Sequence, residues 1–130
     1  MLYQCGLADR TQCSQDEKSQ CKAYVTHLLK LACRSQKDGL LSLEDDIKEM
    51  PKSFLRTILQ LAVSGSTPEI IREAMEKRLL LSDHSGVDLM RRLIELEFVI
   101  DIVKNRDPVT IQTKLYGLLD IDPEGFQPLQ

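Results

Sequence analysis

Val87-Asp88-Leu89-Met90-Arg91-Arg92-Leu93-Ile94-Glu95-Leu96-Glu97-Phe98-Val99-Ile100-Asp101-Ile102-Val103-Lys104-Asn105 is the most apolar segment of the chain. Leu89, Leu93, Leu96, Ile100 and Val103 recur alternately four and three apart, the spacing of one helix stripe. Met90, Ile94, Phe98, Val99 and Ile102 form a second stripe. A helix apolar on two sides belongs at the centre of a domain or at an interface, and the doubled stripe is read here as core. Glu95 and Glu97 lie two apart, so they cannot share a helix face, and acid–base work needs convergent carboxylates. The spacing instead predicts that one of them is partly buried or paired with Arg91 or Arg92 on the same helix.

Helical periodicity extends outward in both directions. Val25, Leu28, Leu29, Ala32 and Cys33 place an apolar stripe on a helix over 17–36, with Gly39 as a natural stop. Leu40, Leu43, Ile47 and Met50 recur three or four apart up to Pro51, which lacks an amide donor and disfavours helix in the residue before it. Phe54, Leu55, Ile58, Leu59 and Ala62 mark a third helix, broken at Ser64-Gly65-Ser66. Thr67-Pro68-Glu69 is a start signal: a capping hydroxyl, a proline whose missing N–H costs nothing there, and an acid at the positive helix end. Ile70, Ile71, Ala74, Met75 and Leu79 carry that helix to about Leu81, and Asp107-Pro108 opens a short sixth one through Ile111, Leu115, Leu118 and Leu119. No stretch alternates with a period of two. The reading is an all-α, compact single domain of five to six helices over 17–121, with a polar arm over 1–16 and a tail over 122–130.

The length of 130 residues allows one domain, and 42% hydrophobic residues suffice to fill its core. The longest uncharged run, Thr57 to Pro68, is 12 residues, short of the roughly 20 that a spanning helix requires. Asp9 and Arg10 interrupt the N-terminus before any apolar run develops, so a cytoplasmic location is expected. Seventeen Lys and Arg against 20 Asp and Glu leave a formal charge of −3, without the basic footprint of a nucleic-acid binder. The four cysteines, at 5, 13, 21 and 33, form no Cys-x-x-Cys pair, and neither His27 nor His84 completes a metal-ligand spacing, so free thiols, no metal and no cofactor are expected. With no nucleophile motif and no Gly-rich phosphate loop, no catalytic residue is nominated.

Three segments read in order resemble one family. Arg34 followed by Lys37-Asp38-Gly39-Leu40-Leu41-Ser42-Leu43-Glu44 is similar to a "basic, acidic, Gly-Leu-Leu-Ala-Leu-Glu" motif. Gln60-Leu61, then Val63-Ser64-Gly65-Ser66-Thr67-Pro68-Glu69-Ile70-Ile71-Arg72, is similar to "Leu-Gln-Leu-Val-x-x-Gly-x-x-Pro-Glu-x-Ile-Arg". Ile94 to Ile102, Asp107-Pro108 and Lys114-Leu115 are similar to "Ile-Glu-Gly-Ile-Leu-Ser-Ile … Asn-Pro … Lys-Leu". Together they resemble the cytoplasmic part of the A subunit of the bacterial flagellar stator (MotA), in the proton-channel family shared with TolQ and ExbB. In that family two membrane helices separate the second and third segments; here the gap is only 80–87.

The resemblance implies a non-enzymatic, stator-like protein of the flagellar motor. It would act by contact with the rotor switch protein, with membrane stator subunits or with itself, and without ion conduction. Glu44 matches the acid that ends the first motif, one of the family's rotor-facing charges. The family's basic partner falls on the uncharged Gln36, with Arg34 and Lys37 as nearby substitutes. The candidate partner-binding residues are therefore Arg34, Lys37, Glu44, Asp45, Asp46 and Glu49, where Gly39 breaks the chain between a basic helix end and an acidic helix start. Glu97 matches the Glu of the third motif, and Phe98 stands where the family has Gly. Two rival readings remain: a ligand-binding helical protein, which would need a convergent polar pocket, and a helix-turn-helix DNA binder over 62–81. Arg72, Lys77 and Arg78 favour the second rival, but Glu69, Glu73 and Glu76 on the same helix would repel phosphates.

Overall fold

Ser14 begins the first helix, α1 (Gln15–Asp38), with a reciprocal cap: its hydroxyl accepts from the Glu17 amide at 3.1 Å, and the Glu17 carboxylate accepts from the Ser14 amide at 2.9 Å. That box starts the helix two residues before the expected Glu17, so residues 15 and 16 belong to α1 rather than to an arm. The computed structural model describes residues 11–119. Cys5, the arm up to residue 10 and the tail expected over 122–130 lie outside the described residues.

Gly39 ends α1 at φ +91°, ψ 158°, a region open in practice only to glycine, and its amide donates to the Ser35 carbonyl at 2.8 Å. The helix expected from Leu40 to Pro51 is split. Leu40–Leu43 is a 3-10 turn, and only Glu44–Glu49 is α-helical (α2). The Ser42 amide and hydroxyl both donate to the Gly39 carbonyl, at 3.1 and 2.6 Å, which tightens this first turn. Met50, before Pro51, is extended, as the proline ring demands.

The remaining helices are α3 (Phe54–Val63), α4 (Pro68–Leu80), α5 (Gly86–Val103) and α6 (Pro108–Leu118). Ser53, Thr67 and Asp107 cap α3, α4 and α6 by accepting from Arg56, Ile70 and Thr110 amides. Those bonds to Thr110 hold the Asp107 carboxyl below its ordinary pKa. The described residues hold no strand, so the domain is an all-α bundle.

Helix α5 is its axle, with α1, α3, α4 and α6 all packed against it. Leu89, Ile94, Leu96, Phe98 and Val99 are fully buried, and Leu93 and Ile100 nearly so, so both stripes are core. From α1 come Cys21, Val25, Leu28 and Leu29. Each such side chain contributes about 1.5–3 kcal/mol by leaving water. Among the described residues no helix is long and apolar enough to cross a membrane.

Glu95 and Glu97 are both buried, as expected of one of them, and the acids of α5 form their hydrogen bonds with side chains of other helices rather than with Arg91 or Arg92. Glu95 is buried and accepts a hydrogen bond from the Tyr24 hydroxyl on α1, while the Arg91 guanidinium stacks on that ring, 4.5 Å from its centroid. Asp101, fully buried, accepts from Lys114 on α6 at 2.8 Å and lies 3.4 Å from Arg106 Nε.

Burial pushes the Glu95 carboxyl above its ordinary pKa, and burial with the adjacent Glu95 pushes the Tyr24 hydroxyl up. The folded protein therefore binds this proton more tightly than the unfolded chain. Stability associated with Glu95 is fully present below the unfolded carboxyl value and lost as pH rises through the raised one. Glu95→Gln, whose carbonyl still accepts from Tyr24, is expected to raise the melting temperature at neutral pH and to converge on the parent protein as pH falls below 4.5, the carboxyl's ordinary value. Thermal melts across that window check the sign; an unchanged melting temperature at neutral pH would remove the burial penalty from the argument.

Candidate functional site

Of the six candidate residues the structure brings two into contact, Arg34 and Asp46. Arg34 leaves α1 one turn before Gly39, and its guanidinium forms an ion pair with Asp46 of α2. Asp46 holds that guanidinium protonated above its usual range. The turn at Gly39 folds α2 back so that the two signs of charge meet. Lys37, Glu44, Asp45 and Glu49 are exposed around the pair. With Arg34 and Asp46 satisfied by each other, the exposed Asp38, Glu44, Asp45 and Glu49 outnumber the exposed Lys37 and Lys48, so what this surface offers a partner is mainly negative. An apolar residue absent from the sequence-derived set is exposed between α1 and α2: Leu41, 64% exposed, on the 3-10 turn. It falls outside the apolar series Leu40, Leu43, Ile47 and Met50, and its exposure agrees with that spacing.

Gly39 is the hinge of this surface. Gly39→Ala has room for its Cβ, with nothing within 4 Å, but places an L side chain in a forbidden backbone region. A destabilisation of about 1–3 kcal/mol is expected from that strain. The Arg34–Asp46 geometry should change with it, read as altered amide NMR shifts confined to residues around 34–46.

The second and third resemblance motifs meet in space. Arg72 of α4 donates to Glu97 of α5 through both guanidinium nitrogens, Nη1 to Oε1 at 2.8 Å and Nη2 to Oε2 at 2.9 Å, and Nη1 also reaches Glu76 at 2.9 Å. The Glu97 hydrogen bonds push the Arg72 pKa up. Phe98 fills the core beside this fork. Three further motif residues act structurally: Thr67 and Asp107 as caps, and Lys114 as a partner of Asp101. An acid on a doubly apolar helix signals that a cation must come from somewhere; for Glu97 the preceding turn holds Leu93 and Ile94, so the donor comes from another helix, and the sequence does not say which.

Elsewhere the chemistry is dispersed. A cavity of about 310 Å³ between α3 and α5 is lined by Lys52, Ser53, Phe54, Asp88, Arg91, Arg92 and Glu95, with both signs of charge on its wall. Cys13, Cys21 and Cys33 are free thiols, and burial raises the pKa of the first two. Among the described residues no three His, Cys, Asp or Glu side chains are placed to hold a metal ion. His27 and His84 are exposed. Of the cations behind the DNA-binding alternative, Arg72 is held by Glu97 and Arg78 lies over the Phe54 ring, 5.9 Å from its centroid.

No family model and no solved structure matches the chain. Two curated proteins do, each over part of its length. Motility protein A of Treponema phagedenis is 41% identical over 58 residues, covering 45% of this chain and 22% of that protein. Motility protein A of Borreliella burgdorferi is 38% identical over 50 residues, covering 38% of this chain and 19% of that protein. The chain thus spans about a fifth of the length of these relatives, and over that part it is similar to Motility protein A.

Proposed function

We propose that this protein works at the flagellar motor as a non-enzymatic, stator-like cytoplasmic component that acts by protein contact. The docking face is the surface of Arg34, Lys37, Glu44, Asp45, Asp46 and Glu49. The observation that carries this reading is the closure of the first motif on itself. Gly39 turns the chain, Arg34 and Asp46 lock the turn, and Glu44, Asp45, Glu49 and Leu41 are left exposed. The partial similarity to Motility protein A supports the motor as the setting. The partner surface is basic with an apolar socket, and its candidates are the rotor switch protein and the cytoplasmic segments of membrane stator subunits. Complementary charge at an exposed face sets encounter rate and specificity more than affinity.

Titration of the protein against the host's rotor switch protein and stator cytoplasmic segments tests this. Glu44→Lys should weaken binding about tenfold or more, since it adds repulsion to a lost attraction. Leu41→Ser should weaken it further, and added salt should slow association. Arg34→Glu breaks the ion pair with Asp46 and perturbs the turn as well, so Lys37→Glu is the cleaner basic probe. Absence of binding to every motor component, or binding indifferent to these changes, refutes the docking face.

A further inference from the structure

Helix α4 buries Ile71, Met75 and Leu79 against its neighbours and presents its opposite face to solvent. Ile70, Ala74 and Lys77 lie on that face and Leu81 follows as the C-cap, at intervals of four, three and four, the spacing of a helix–helix seam. Ile70 is 55% and Leu81 86% exposed, and a shallow hollow of about 260 Å³ runs between Ile70, Glu73, Ala74 and Lys77. Scattered exposed apolar residues are ordinary, but here two of the four large ones among the described residues share one stripe.

The charges beside the stripe say what covers it. Glu73 lies in the N-terminal half of α4 and Lys77 in the C-terminal half, both are exposed, and among the described residues neither joins an ion pair. A second α4 laid antiparallel about a two-fold axis between Met75 and Glu76 sets Ile70 opposite the second copy's Leu81 and Ala74 opposite its Lys77. Each Glu73 then reaches a Lys77 of the other copy, twice by symmetry. A parallel arrangement would oppose Lys77 to Lys77 and Glu73 to Glu73. The small Ala74 lets the axes approach at the centre.

We infer that two copies of this chain pair antiparallel through the α4 stripe Ile70, Ala74, Lys77 and Leu81, with reciprocal Glu73–Lys77 ion pairs. The 13 residues of α4 make a seam only about 20 Å long, so the area covered is well below the roughly 800 Å² per partner of a standard interface. The pair is therefore weak and reversible, populated at high concentration. It uses a surface separate from the Arg34–Glu49 face, and its test does not depend on any motor protein.

Sedimentation equilibrium of the full chain from the micromolar to the millimolar range reads it directly. Leu81→Asp and Glu73→Lys should each weaken dimerisation about tenfold or more, by burying a charge or opposing like charges. The double variant Glu73→Lys with Lys77→Glu should restore it, because the pairing is exchanged rather than removed. Val109→Asp, at an exposed apolar residue on α6, should behave like the parent. All four positions are exposed, and circular dichroism confirms that the variants fold. A chain monomeric throughout that range, a charge exchange that fails to restore the dimer, or equal loss with Val109→Asp overturns the inference; a stripe that binds some other protein gives the first of these results.

Discussion

Phe98→Ala is expected to lower the stability of the protein by about 3–5 kcal/mol, a large part of the roughly 5–15 kcal/mol typical of a domain. Phe98 has no exposed surface and sits on α5, against which four other helices pack. Truncating it removes the transfer energy of an aromatic ring and leaves a void that so enclosed a site cannot collapse. Phe98→Gly, which restores the residue at this place in the motif the chain resembles, should cost about 1 kcal/mol more for glycine in a helix interior. Urea unfolding at constant slope measures both. A loss below about 1 kcal/mol for Phe98→Ala would mean that the neighbouring helices close over the void.

The second large effect concerns the Arg72–Glu97 fork. Arg72→Ala is expected to cost about 2–3 kcal/mol, because it leaves a carboxylate on the inner helix without its two charged donors. The figure is kept below that of a fully buried pair because the Arg72 side chain is 36% exposed and water screens it. Glu97→Ala should cost less, since the freed guanidinium keeps Glu76 and reaches solvent. The double variant should then cost clearly less than the sum of the two, the mark of a direct interaction. Arg72→Lys should recover only part of the loss, since an ammonium cannot serve both carboxylate oxygens in a planar fork. Additive losses would refute the pairing.

Helix starts and stops were legible because their causes lie within four residues. Thr67-Pro68 and Asp107-Pro108 cap as their chemistry requires, and Gly39 stops α1 because its φ of +91° is a conformation that L side chains rarely adopt. The helix expected from Leu40 to Pro51 was only half legible: periodicity placed Leu43 and Ile47 inward, but the doubled hydrogen bonding of Ser42 to Gly39 tightens the first turn. The candidate face was legible as a charge reversal across a glycine. That Arg34 chooses Asp46 was not, since it follows from how α2 folds back on α1.

Local sequence by itself determined the all-helical class, the helix boundaries to within two residues in most cases, and the place of the segment around 87–103 at the centre, because apolar period and capping act over one or two turns. Only the tertiary structure decided the partners of the buried acids. Glu95 goes to Tyr24, Glu97 to Arg72 and Asp101 to Lys114, across 71, 25 and 13 residues of chain. A buried carboxylate must find a donor wherever packing brings one, and packing is set by which helix faces α5 rather than by distance along the chain. The same packing left Ile70 and Leu81 on the outer side of α4, since Ile71, Met75 and Leu79 already fill the side that meets the core.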